Sequence, residues 1–170
     1  MLMPNTSPSI MARLRDETKA HHERAENREL QRALGKGSLP RDEYAAMLGQ
    51  RLLIHRVLER ELRRLARSGA PFSALVDEGL FQESNLRKDL DALGLDPGGV
   101  NPNSATSRLI AAIEHSASQD PVALFGMYYV FEGSKNGARY LVRRVAATYG
   151  LKPGPGLLYL DPHGEQRGET

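Results

Sequence analysis

Cysteine and tryptophan are absent from this chain of 170 residues, and aromatic residues make up only 6% of it. Without cysteine there is no disulfide, no thiolate metal ligand and no cysteine-held iron–sulfur cluster, which removes several enzyme classes and suits a reducing compartment. The scarcity of aromatic residues argues for helices over a sheet-rich sandwich. Long apolar runs are missing too. No segment approaches the ~18 apolar residues of a membrane span, and the N-terminal MLMPNTSPSIMARLRDE lacks the apolar centre of a secretory signal. Nor does one sign of charge dominate: the formal net charge is +2, and basic residues alternate with Asp and Glu, so the electrostatic argument for nucleic acid is weak. The expectation is one soluble, cytoplasmic, all-α domain over residues 1–170, with 1–9 and 161–170 irregular.

What is present is helical periodicity. Residues 10–34 read as a first helix, with Ile10, Met11, Leu14, Thr18 and Ala25 on one face, stopped by Gly35 and Gly37. A second helix is expected over 41–67, opened by Pro40, striped by Tyr44, Leu48, Leu52, His55, Leu58, Leu62 and Leu65, and followed by Gly69. Residues 72–93 form a weaker helical region broken near Gly79. The stretch 94–103, with Pro97, Gly98, Gly99 and Pro102, reads as a loop, and Ser104 is placed to cap a short helix. Asp120 and Pro121 supply an N-cap and a first-turn proline for a last helix reaching Tyr149, with Gly150 at its end.

Two of these helices carry features that a packed bundle does not require. In the last helix, Gly126, Gly133 and Gly137 each cost ~1 kcal/mol relative to alanine. With Val130 they share one face, adjoined by Ala138, and leave a strip of nearly bare backbone. Close packing of a second helix explains such a strip, and so does a flat ligand. Ser134 beside it either holds a water or bonds back to the preceding turn. In the first helix, His21 and His22 are adjacent. Periodicity places His21 slightly nearer the apolar face, whereas His22 has Glu26 one turn later, able to orient an imidazole. A lone imidazole suits haem iron, whose porphyrin supplies the equatorial ligands, while zinc needs three or four protein ligands. Arg15 and Lys19, one to two turns before His22, are placed to reach the carboxylates of such a ring. His55 reads as core lining, and His115 and His163 as surface.

Both segments resemble the haem oxygenase family. LRDETKAHHERAEN, residues 14–27, is similar to that family's proximal helix, and KGSLPRDEYAAML, residues 36–48, continues the similarity. YVFEGSKNGARYLVRR, residues 129–144, resembles the distal helix in its bacterial form, and the likeness spans roughly residues 10–160. The resemblance implies that His22 ligates iron and Glu26 follows it, that Arg15 and Lys19 meet the haem propionates, and that Gly133, Gly137 and Ala138 cover the distal face. It also places Ser134 where animal members carry an aspartate, and Tyr128 at the pocket edge. The implied activity is oxidative cleavage of haem, both substrate and cofactor, to biliverdin, carbon monoxide and iron. Dioxygen and an external electron donor, a reductase or ferredoxin, are the implied partners.

Three departures accompany the likeness. Asn136 stands where similar bacterial members carry an apolar residue, and Arg139 follows the small pair. The chain ends at Thr170, where family members usually continue into at least one further helix, so the bundle is expected to lack the last family helix. Two other readings stay open at this point. One is a non-catalytic haem or bilin binding protein on the same fold; the other is a helical interaction module in which the glycines serve packing.

Overall fold

The computed structural model describes residues 10–162, apart from the side chains of residues 10, 11, 14, 15 and 136. Among the described residues every regular element is helical: α1 (Ile10–Glu26), α2 (Glu29–Lys36), α3 (Arg41–Arg67), α4 (Glu83–Leu93), α5 (Ser104–Gln119) and α6 (Pro121–Tyr149). Short 3-10 turns at Phe72–Ala74 and Glu78–Leu80 join α3 to α4.

The central member is α3, whose expected bounds and stripe the structure bears out. Tyr44, Leu48, Leu52, Leu58 and Leu62 are wholly buried along it. Its first half joins Leu86 and Leu90 of α4, Val145 of α6 and Leu157 and Leu160 of the tail in one apolar cluster. Its second half joins Ile113 and Ala117 of α5 and Leu124 and Tyr128 of α6 in another. Asn103, one residue before the expected Ser104, caps α5 by accepting the Thr106 amide at 2.9 Å. Asp120 caps α6 through the Ala123 amide, with Pro121 in the first turn and Gly150 left-handed at the end (φ 65°), as its sequence predicts.

The first helix differs from expectation. It breaks after Glu26, where Arg28 turns extended (ψ 143°) and α2 starts anew at Glu29; the Glu23 carbonyl accepts both the Asn27 amide at 3.1 Å and the Asn27 side chain at 2.8 Å. Gly35 lies inside α2, and Gly37, left-handed at φ 71°, terminates it. A Cβ on Gly37 would come within 2.6 Å of Thr148 Oγ1, so this glycine also lets α2 seat against α6. The region 72–93 is α-helical only from Glu83 onward, with the two 3-10 turns before it.

The irregular tail is held by one buried carboxylate. Asp89 of α4 accepts the amides of Gly156, Leu158 and Tyr159 at 2.7, 2.9 and 2.8 Å, and the Tyr44 hydroxyl donates to the Gly156 carbonyl at 3.0 Å. Burial pushes the Asp89 carboxyl above its ordinary range despite those three donors. Residues 1–9 and 163–170, expected to be irregular at the two ends, lie outside the described residues, as does His163. Among the described residues no helix is long and apolar enough to cross a membrane.

Candidate functional site

Two helix faces remain uncovered among the described residues. The first belongs to α6. At ~100° per residue, Gly126, Val130, Gly133 and Gly137 fall within roughly 60° of one another and about 150° from Leu124 and Val142, which face the core. The structure matches this division: Leu124 is buried and Val142 packs on the core, while Val130 is 64% exposed and Tyr129 and Tyr140 are exposed beside the strip. A Cβ built on Gly126, Gly133 or Gly137 meets nothing within 4 Å among the described residues. Close packing therefore does not account for these glycines, as it does for Gly49, whose Cβ would lie 3.1 Å from Val100. The bare strip offers a surface to which a flat, apolar ring can approach the backbone.

The second uncovered face belongs to α1. None of its described side chains is buried, and it packs on α2, which in turn packs on the C-terminal half of α6 through Gly37, Arg144 and Thr148. His21 and His22 are both exposed, but they differ in what their nitrogens do. An Arg24 guanidinium nitrogen lies 2.7 Å from His21 Nδ1. Since guanidinium only donates, Nδ1 accepts, and the proton of a neutral His21 sits on Nε2. No hydrogen bond engages His22 among the described residues, so a ring lone pair is available there for a metal. Lys19 and Glu26 are exposed on the same helix, and no bond joins Glu26 to His22. The Arg15 side chain lies outside those described.

Of the other expected site residues, Gly133 and Gly137 lie together on the strip and Ser134 stands on its shoulder. Ser134 Oγ donates to the Phe131 carbonyl at 2.7 Å, the back-bonded alternative. Two residues face elsewhere. Tyr128 points into the core, with its hydroxyl 3.4 Å from the Asp77 carbonyl, and burial raises its hydroxyl pKa, so that it stays protonated. Ala138 packs against the core cluster, because it lies about 100° from Gly137 around the helix. Arg139 turns outward over the Tyr140 ring, 5.2 Å from its centroid. The structure thus puts Tyr129, Val130 and Tyr140 beside the bare strip, in place of Tyr128 and Ala138.

A buried polar pair also went unrecognised in the sequence. His55, expected as core lining, is indeed buried, but it is paired with a buried Glu59 one turn later. A His and a Glu four residues apart beside a leucine stripe were the available signal. His115 is exposed, as expected.

The family model described as "Heme oxygenase" matches residues 9–169. No curated protein matches the chain significantly. Among solved structures, a heme oxygenase from Leptospira interrogans is 25% identical with a TM-score of 0.81, over 91% of this chain and 76% of that one. Heme oxygenase-1 from the cyanobacterium Synechocystis, solved in complex with heme, is 22% identical with a TM-score of 0.78, over 87% of this chain and 68% of that one. Heme oxygenase-2 from the same organism, in complex with heme and NO, is 22% identical with a TM-score of 0.81. It is matched over 88% of this chain but 62% of its own length. With the family model running almost end to end over an all-helical bundle of that fold, the chain belongs to the haem oxygenase family, the haem-degrading oxygenases.

Proposed function

We propose that this chain cleaves haem oxidatively to biliverdin, carbon monoxide and iron, using dioxygen and electrons from an external reductase or ferredoxin. The observation that carries the reading is the outward glycine strip of α6, whose bare backbone no described part of the chain explains. Haem, when bound, supplies both the iron that activates dioxygen and the ring that is opened.

The residues of the chain fit that group. His22 offers an unengaged imidazole nitrogen to the iron, and the Arg24 contact of His21 makes the neighbouring ring the poorer donor. Arg15 and Lys19, one to two turns earlier on α1, are the cations proposed for the propionates, and Glu26 is proposed to orient His22 through water. Gly133 and Gly137 let the ring approach α6 without a Cβ in the way, and Val130 and Tyr140 exclude water along its edges. Steric closeness of the strip restricts where a small ligand can lie, and so selects the carbon attacked. Ser134, its hydrogen committed to Phe131, keeps oxygen lone pairs with which to hold a water. A cytoplasmic setting, where reductant is available, is part of the proposal.

Haem titration followed by reductant under air is the test. Wild type is expected to develop a Soret band and then biliverdin absorption with release of carbon monoxide. A stable Soret complex that yields no biliverdin with any reductant would overturn the catalytic reading and leave a haem-binding protein.

A further inference from the structure

One lysine stands where the core-facing pattern of α6 calls for an apolar side chain. At ~100° per residue Lys135 shares a face with Leu124, Tyr128 and Val142, and it lies about 160° from both Gly133 and Gly137. It is therefore directly behind the bare strip. Its side chain is only 15% exposed and that of Glu132, one turn earlier, 21%, and Nζ lies 2.6 and 2.7 Å from the two Glu132 carboxylate oxygens. A third contact leaves the helix: Nζ donates to the Leu80 carbonyl at 2.8 Å.

That carbonyl is a fixed point, because α3 holds the chain on either side of it. Before it, Arg63 donates to Glu78 at 3.1 Å; after it, the Arg63 guanidinium lies 4.6 Å from the centroid of the Phe81 ring. Beyond Phe81, Glu59 accepts the amides of Gln82 at 2.6 Å and Glu83 at 3.0 Å, at the start of α4. The same connection meets α6 again at Tyr128, whose hydroxyl is 3.4 Å from the Asp77 carbonyl and whose ring meets Phe81 edgewise at 6.4 Å. Tyr128 and Lys135 are about two turns apart, with Gly133 between them. Satisfying polar groups does not explain the lysine, since the Leu80 carbonyl already accepts the Gln82 side chain at 2.9 Å. Nor does stability, because an apolar side chain filling the space of a largely buried ion pair commonly does as well or better. What the ammonium adds is a directional tie. Glycine weakens the helix at 133 and 137, and on the outer side nothing among the described residues braces it. The bend and depth of this segment are set from within.

Resting on the haem-cleaving reading, we propose that Lys135 is a positioning residue: tied to the Leu80 carbonyl, it fixes how residues 133–137 of α6 lie against the haem ring, and thereby which carbon of the ring is attacked. Lys135 itself never meets the ring. It carries the position of α3, through Arg63, Glu59 and the connection they hold, to the one stretch of α6 that two glycines leave pliable. With the tie cut, that stretch is free to tilt, and the ring settles against a different backbone surface.

The haem-free protein tests the tie. Nitrogen-15 spectra of wild type are expected to show the Lys135 ammonium in slow exchange with water, and an ammonium in free exchange overturns the proposal. In Lys135→Met, the amides of residues 133–140 are expected to exchange with solvent ~10-fold faster or more, while those of α3 and α5 keep their rates. Unchanged rates at 133–140, or equal acceleration throughout the chain, overturn it. The haem-loaded protein tests the seat of the ring. Proton resonances of the haem methyl groups in the ferric complex, which report how the ring is turned, are expected to move in Lys135→Met, and the ratio of biliverdin isomers to change several-fold on chromatography. Only folded protein makes product, so loss of stability by itself leaves that ratio where it was. Wild-type methyl resonances and isomers in folded Lys135→Met overturn the proposal. Lys135→Met combined with Glu132→Leu removes both charges and is expected to behave as Lys135→Met does. A return to wild-type isomers there would assign the effect to an unpaired Glu132 and overturn the tie. If Lys135→Met fails to fold, the double variant and the wild-type ammonium decide. Wild type that binds haem without cleaving it would strike the haem-cleaving reading, and the methyl resonances would still decide whether Lys135 seats the ring.

Discussion

Helices α3 and α1 carry the same kind of pattern, an apolar stripe at helical spacing interrupted by histidine, and the structure treats them in opposite ways. Along α3 the stripe is buried and its histidine is sealed beside Glu59. Along α1 no described side chain is buried and its histidines face outward. Periodicity states that a helix has an apolar face; it does not state what covers that face. For α3 the cover is α4, α5 and α6. For α1 the described residues pack on α2, and the bare strip of α6 is likewise uncovered among them, so both faces are suited to a ligand.

The comparison breaks most sharply at His22. Replacing His22 by alanine is expected to abolish the imidazole-ligated haem spectrum and lower turnover by ~100-fold or more, while thermal unfolding of the haem-free protein moves by less than about 0.5 kcal/mol, because the residue is exposed and makes no hydrogen bond among the described residues. Retention of the wild-type Soret spectrum would move the ligand to another residue. Leu52→Ala, on the sealed stripe, is expected to do the reverse. It should lower stability by about 3 kcal/mol in denaturant melts and leave ligation unchanged in whatever fraction is folded.

Next come the glycines. Gly133→Ala and Gly137→Ala are each expected to stabilise the haem-free protein by up to ~1 kcal/mol, since the helix gains a better former and nothing obstructs the methyl. The same changes should weaken haem binding or alter the biliverdin isomer, as read by titration and by chromatography of the product. Destabilisation of the haem-free protein would mean that the strip is packed after all. The smallest effect is expected at Lys19→Ala: a few-fold loss of haem affinity that shrinks as salt rises, because an exposed cation contributes little and is screened.

The sequence made α3 and α6 legible because their stop and start signals are strong. Pro40, Asp120, Pro121 and Gly150 all act at the ends where they were read. It misled over residues 10–34, where Arg28 turns extended inside a continuous apolar pattern and divides it into two helices. The glycine strip was visible as a pattern, but whether another helix filled it depended on partners distant in the chain. Tyr128 and Ala138 were tied to the site by resemblance, whereas one residue of helical rotation separates a core position from a pocket position. The His55–Glu59 pair was missed because a leucine stripe makes its members look like packing, and the burial of Glu59 follows from amides 23 and 24 residues later.

Because the glycine strip and the core lie on opposite sides of the same rod, the outer surface has only one helix, about 10 Å of protein, behind it. A change to Leu124 or Val142 that tilts α6 by a fraction of an ångström would carry the strip with it. The contour presented to a ring can therefore be retuned from the rear, by residues that never meet the ring, and drift in the hidden half of α6 is a route by which relatives of this chain could come to favour different cleavage products.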